Sequence, residues 1–168
     1  MLLLAALTTG SGNAWAEDSW VKTEPTELVT GDIVVIVDET IAMALPTTVV
    51  SKNPSATAVT LNTEKTEITS DVTSMLTWTV TIGTSDNDRT YQFSTESNNV
   101  TYYLTCSNSN TGVAVSTSVN KAYFYDSEFS KLKSTALSRW IGVYNSQDWR
   151  CYTTGNANNI KKHRNFFL

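Results

Sequence analysis

Apolar and polar residues alternate along most of this chain with a period of two, in short runs separated by Asn, Asp, Ser and Gly. That is the pattern of half-buried β-strands, and the helical period of 3.6 appears over no useful length. Reading the runs in order predicts strands at residues 20–23, 33–37 and 41–45, a weak one around 58–61, and then 78–82, 91–93, 102–106, 113–116, 122–125, 132–137, 140–144 and 149–152. The run IVVIV at 33–37 is apolar without interruption, as expected of a strand covered on both faces. Residues 78–82, WTVTI, alternate cleanly, and the Asp, Asn and Ser of residues 83–89 predict a hairpin into Tyr91, Gln92 and Phe93. Between Thr47 and Ile68 the alternation is weak, so edge strands and loops are expected there.

Roughly twelve short strands in a single domain predict an all-β fold, either a closed or partly open β-barrel or, as the alternative, a β-sandwich. Strand pairs recur three times, VVIV with IAMAL, YQF with YYLTC, and KLKSTAL with WIGVY, which suggests a β-trefoil. The unequal spacing fits any succession of hairpins as well.

Composition sharpens this picture. Thr supplies about one residue in six, and its branched Cβ suits pleated surfaces. Only 17% of residues are charged, so Ser, Thr and Asn must solvate the surface. The net charge of -4 opposes a nucleic-acid partner, which requires a basic patch. The one basic cluster, Lys161, Lys162, His163 and Arg164, reads as a solvated tail.

The chain opens with MLLLAAL, followed by small residues and Ala14-Trp15-Ala16. Residues 1–16 therefore read as a signal peptide cut short at its start, with residues 17–168 as one all-β domain. The apolar run is too short to span a membrane. The expected location is secreted, periplasmic or on the cell surface. In such a compartment Cys106 and Cys151, the two cysteines of the chain, are expected to form a disulfide, the alternative being two buried free thiols. They cannot assemble a metal shell with one remote His. Phe166 and Phe167 are a candidate last strand.

Trp20-Val21, Leu28 before GDIVVIVD, Ala42-Met43, the Trp78 strand, YYLTCSNSNTGV and RWIGVYNSQDWRCYTT follow one another in that order. Over residues 20–154 the chain thereby resembles a β-rich domain of secreted and surface proteins of gut bacteria. The resemblance implies an all-β fold and an extracellular location, and it implies no activity.

Catalytic constellations are scarce. The single histidine, His163, lies in the basic tail, away from any Ser or Cys nucleophile. Asp86-Asn87-Asp88 lacks the remaining ligands of a calcium loop and reads as a hairpin tip. No cofactor motif and no metal site is present in the sequence.

Contact chemistry concentrates instead in residues 139–154, where Trp, Tyr and Arg cluster about a turn. The first functional expectation is thus a non-catalytic binding module for a glycan or another cell-surface polymer. In it Trp149 and Tyr144 stack on a sugar while Asn145, Asp148 and Arg150 bond to its hydroxyls. Against it stands the reading in which Trp140, Tyr144 and Trp149 fill the core and Asp148 pairs with Arg150. The alternatives in function are a structural or adhesion module that adds a strand at an exposed edge within residues 47–61 and, last, a glycoside hydrolase-like enzyme with two carboxylates. Burial of Trp149 separates the readings.

Overall fold

The run expected to be covered on both faces is divided between two sheets. In the computed structural model, which describes residues 20–153, Ile160 and the backbone of residues 6–7 and 166–167, Ile33–Val35 forms strand β3 and Val37–Asp38 forms strand β4. Before them come β1 (Ala6–Leu7), β2 (Trp20–Val21) and a one-turn helix, Pro25–Glu27. After them come β5 (Met43–Ala44), β6 (Thr57–Ala58), β7 (Glu67–Ile68), β8 (Thr77–Ser85), β9 (Asp88–Ser97) and β10 (Val100–Cys106). The series ends with β11 (Val113–Ser116), β12 (Tyr123–Asp126), β13 (Lys131–Ser134), β14 (Trp140–Tyr144), β15 (Asp148–Tyr152) and β16 (Phe166–Phe167).

Alternation explains why the run must be covered twice. Val34 and Ile36 point into the main core with Trp78, Phe93, Tyr123, Ile141 and Trp149. Val35 and Val37 point the other way, into a second cluster with Ala44, Val59, Ile68 and Leu76. At Ile36 the chain leaves β8, the neighbour of β3, and continues as β4 beside β5. The expected last strand, β16, pairs with β4 on its other side. Apart from Ala6–Leu7, the expected leader lies outside the described residues, as does the basic cluster Lys161, Lys162, His163 and Arg164.

The main sheet has nine strands, ordered β11-β10-β9-β12-β13-β14-β15, with β8 on the far edge of β9 and β3 on β8. Two hairpins fix its register through paired left-handed residues, Asp86-Asn87 between β8 and β9 and Asn98-Asn99 between β9 and β10. Asn and Asp tolerate that conformation better than other side-chain-bearing residues, and its twist matches that of the strands. Asp86-Asn87-Asp88 is accordingly a hairpin tip. Ten residues long, β9 holds β8 along one edge and shares the other between β10, at residues 94–97, and β12, at Tyr91.

The expected closed barrel is not formed, and the architecture is sandwich-like. Inward residues of β8 to β15 meet in one core, yet β11 and β15 are not joined as neighbouring strands of the sheet. Residues 50–55 stand between them, bridging to Val115 on one side and Asp148 on the other. Pro54, which has no N–H to donate, and Asn53, at a φ of 36°, keep this segment from becoming a strand that would complete a ring. The trefoil repeat dissolves too. Two of its three pairs lie in or join strands of the nine-stranded sheet and the third is β4 with β5, so they are successive hairpins and not equivalent thirds. No helix among the described residues is long and apolar enough to cross a membrane.

One buried feature has no counterpart in the strand pattern. Asp38 on β4 and Lys131 on β13 are both buried. Burial pushes the carboxyl up to about 7 and the amine down to about 7, and for each the strongest opposing influence is the charge of the other. Removing one member of such a pair strands its partner. Lys131→Met is therefore expected to cost about 3 kcal/mol near neutral pH, and Asp38→Asn in the same chain should recover most of it. The carboxyl is neutral below its folded pKa and the amine is neutral above its own, so the two charges coexist near pH 7; the cost should be greatest there and shrink toward both about pH 5 and about pH 9. Urea titrations across that range test this, and a pH-independent cost would show that the two groups do not interact.

Candidate functional site

The aromatic hairpin singled out in the sequence is β14 and β15, paired from Trp140↔Tyr152 to Tyr144↔Asp148. Its turn, residues 145–147, carries Asn145 and Ser146 at φ values of 48° and 55°. Ile141, Val143, Trp149 and Cys151 project into the main core. Trp140, Tyr144 and Tyr152 project to the opposite face, where they pack with Phe129 and Ile160. Cross-strand alternation thus sorts the aromatics into two environments.

Trp149, the residue on which the binding reading turned, has no exposed surface. Its indole Nε1 donates to the Ala44 carbonyl at 3.1 Å, a contact internal to the core, so it cannot stack on a sugar. Trp140 is 6% exposed, with Nε1 bonded to Asp126 Oδ2 at 2.8 Å and Phe129 edge-on to its ring. Tyr144, Asp148 and Arg150 do come together. Asp148 accepts Arg150 Nε at 2.6 Å and Nη2 at 3.1 Å, and also Asn53 Nδ2 at 2.9 Å. The guanidinium carbon of Arg150 stands 4.0 Å from the centre of the Tyr144 ring. Asp148 is thus claimed by Arg150 and Asn53, whereas Asn145, Ser146 and Gln147 of the turn are exposed. The cluster closes the hairpin onto residues 53–56, through Ala56 N to the Gln147 carbonyl and Trp149 N to the Pro54 carbonyl.

The expected Cys106–Cys151 bridge is not formed. Both are buried free thiols. The Cys151 thiol donates to the Ser109 carbonyl at 3.0 Å, and the Ser107 carbonyl lies 3.6 Å from both sulfurs.

Three concavities stand out among the described residues. A groove of about 670 Å³ crosses the outer face of β8 to β10, lined by Thr77, Thr79, Ser94, Glu96 and Thr101, with no aromatic plane along it. A second, of about 380 Å³, is lined by Pro46, Pro54, Thr57, Ala58 and Leu76 and also lacks an aromatic side chain. The third, a cleft of about 450 Å³, was not legible in the sequence. It is formed by Glu24, Pro25, Asp88, Arg89, Phe124 and Tyr125, over Tyr91. The pairing of Tyr123 with Tyr91 sets β12 against β9 and so delivers Phe124 and Tyr125 next to Arg89. Its floor is tied down twice. The Tyr91 hydroxyl donates to the Pro25 carbonyl at 3.0 Å, and Arg89 Nη2 donates to the Leu28 carbonyl. The guanidinium carbon of Arg89 also lies 5.7 Å from the Tyr91 ring centre. Burial raises the phenols of Tyr91 and Tyr125, which keeps both as neutral hydrogen-bonding groups. Phe124 and Tyr125 are half-buried, whereas Glu24, Asp88 and Arg89 are exposed. Partly open aromatic planes, a guanidinium and two carboxylates thus share one wall.

These placements predict different costs for Trp149 and Tyr144, the two rings of the binding expectation. Trp149→Ala should lower stability by about 3–5 kcal/mol in urea denaturation, because it empties core volume and removes the bond to the Ala44 carbonyl. Tyr144→Ala should cost about 1 kcal/mol, since it removes a partly exposed ring and its cation–π contact. A Trp149→Ala chain as stable as the parent would contradict the placement.

No protein-family model, no curated protein and no solved structure matches this chain.

Proposed function

We propose that this chain is a non-catalytic binding module of an exported or surface-attached protein, and that its ligand is a carbohydrate held in the cleft between the Pro25–Glu27 turn, β9 and β12. One observation carries the reading: half-buried Phe124 and Tyr125 stand beside Arg89, Asp88 and Glu24 in a single cleft. Aromatic planes bind the apolar face of a sugar ring, while a guanidinium and carboxylates answer its hydroxyls. The leader expected at residues 1–16 and the resemblance to surface proteins support the compartment. Glu24 and Asp88 are both exposed to solvent, where they can meet ligand hydroxyls directly. We therefore assign the cleft to binding and not to glycoside hydrolysis, with no cofactor.

A structural or adhesion role is the second reading, favoured by one feature. Strand β6 ends the four-stranded sheet, its two residues are exposed, and in that sheet it pairs with β5 alone. It lies within the stretch named from the sequence as an edge. A partner strand added there would extend that sheet.

Probing a glycan array with the chain tests the first reading. Binding to a defined class of glycan is expected, with Phe124→Ala and Tyr125→Ala each weakening it by about tenfold while thermal melting remains cooperative. Absence of binding to every glycan, or full binding by both variants, would overturn the carbohydrate reading.

A further inference from the structure

The two thiols lie under the one place where the ends of the main sheet approach each other. The connection from β10 to β11, residues 107–112, reaches across to β15, where Cys151 N donates to the Asn110 carbonyl at 3.1 Å. Within the connection, Ser107 N donates to Gly112 O at 3.0 Å and Gly112 N to Ser109 O at 3.0 Å. The turn is so tight that a Cβ on Gly112 would fall 2.7 Å from the Ser107 carbonyl oxygen.

Arg139 latches this connection from the side. Although 8% exposed, it has no carboxylate partner among the described residues. Its donors go instead to Asn108 Oδ1 at 3.2 and 3.0 Å, Asn110 Oδ1 at 3.1 Å and the Cys151 carbonyl at 3.3 Å. The underside of the loop is held by sulfur, through the carbonyls of Ser107 and Ser109. A third group faces the same spot. The Tyr123 hydroxyl is completely buried, has no hydrogen-bond partner among the described residues, and interacts electrostatically with both sulfurs.

We propose that Cys106 and Cys151 constitute a thiol–disulfide exchange site for small disulfides, roofed by residues 107–112 and latched by Arg139 through Asn108 and Asn110. This inference is independent of the carbohydrate reading. In the first step Cys151 gives its proton to solvent and its thiolate attacks one sulfur of the small disulfide, breaking the S–S bond, forming a mixed disulfide and releasing one small thiolate, which takes a proton from solvent. Cys106 then passes its proton to a departing thiolate and attacks the Cys151 sulfur, expelling the second. Two protein thiols are oxidised and one disulfide is reduced to two thiols, so atoms and electrons balance.

The order follows from the surroundings. The hydrogen bond from Cys106, helped by the charge of Arg139, lowers the Cys151 thiol, while the same bond and burial raise Cys106. Once the sulfurs are joined, neither S–H remains to bond the Ser107 and Ser109 carbonyls. The loop is then held by Arg139 and its own backbone alone, and the seam between β11 and β15 is loosened.

Because both sulfurs are buried, reaction requires the loop to lift, and the latch should set the rate. The test uses the full chain with oxidised glutathione as the probe, followed by intact mass and thiol titration after unfolding. The folded chain is expected to lose both thiols together, ending two hydrogen atoms lighter and carrying no glutathione. Asn108→Ala with Asn110→Ala removes two exposed side chains and leaves the buried Arg139 guanidinium only the Cys151 carbonyl, so the urea midpoint should fall, and in denaturant-free buffer, where the chain remains folded, the variant should react about tenfold faster. Cys106→Ser should stop at a stable glutathione adduct on Cys151. The proposal is overturned if the folded chain keeps both thiols while the unfolded chain is oxidised, if it ends as a lasting glutathione adduct, or if the Asn variant reacts at the parental rate.

Discussion

Trp78 and Trp149 donate their indole N–H groups to consecutive carbonyls, Leu45 and Ala44, at 3.0 and 3.1 Å. The two tryptophans come from β8 and β15, strands that are not neighbours in the main sheet, and both are fully buried. A buried indole N–H without an acceptor is costly, as is a buried carbonyl without a donor. These two bonds therefore fix where the β5 segment lies against the main sheet. The position of β5 sets that of β4, and with it the division of the Ile33–Asp38 stretch between two cores. Most of the tertiary arrangement depends on this anchoring.

The same anchoring decides what surface is left for a ligand. Trp149 is committed to the Ala44 carbonyl, Trp140 to Asp126, and Arg150 to Asp148 and the Tyr144 ring. The segment richest in contact chemistry is thus the most internally satisfied. The aromatic cleft arises where β12 joins β9 at a single register pair and leaves Phe124 and Tyr125 only partly covered. Likewise, residues 50–55 plug the gap between β11 and β15 below the aromatic hairpin, and residues 107–112 cover the thiols beside it.

Period-two alternation set the strands at 113–116 and 140–144 to the residue, because each lies between turn-forming residues and faces a core on one side. It also separated Trp140 and Tyr144 from Ile141 and Val143. It was poorest between residues 47 and 68, where strands of two residues pair with distant partners and leave no local period. The disulfide expectation rested on compartment and spacing in the chain. Hydrogen bonds from sulfur to the carbonyls of residues 107 and 109 describe a different use of the same two side chains.

By itself the sequence determined the all-β class, most strand positions, the burial on both faces of residues 34–37 of the expected run, though not of Ile33, which is exposed, and the hairpin turns, because each is encoded by residues within reach of one another along the chain. Only the tertiary structure decided that the sheet stays open, that Trp149 is core, that Asp38 meets Lys131 and that Phe124 and Tyr125 lie beside Arg89. Alternation states which face of a strand is buried but not which distant strand will cover it. That choice is made by the cost of leaving buried polar groups unpaired and core volume unfilled, and both are properties of the assembled chain.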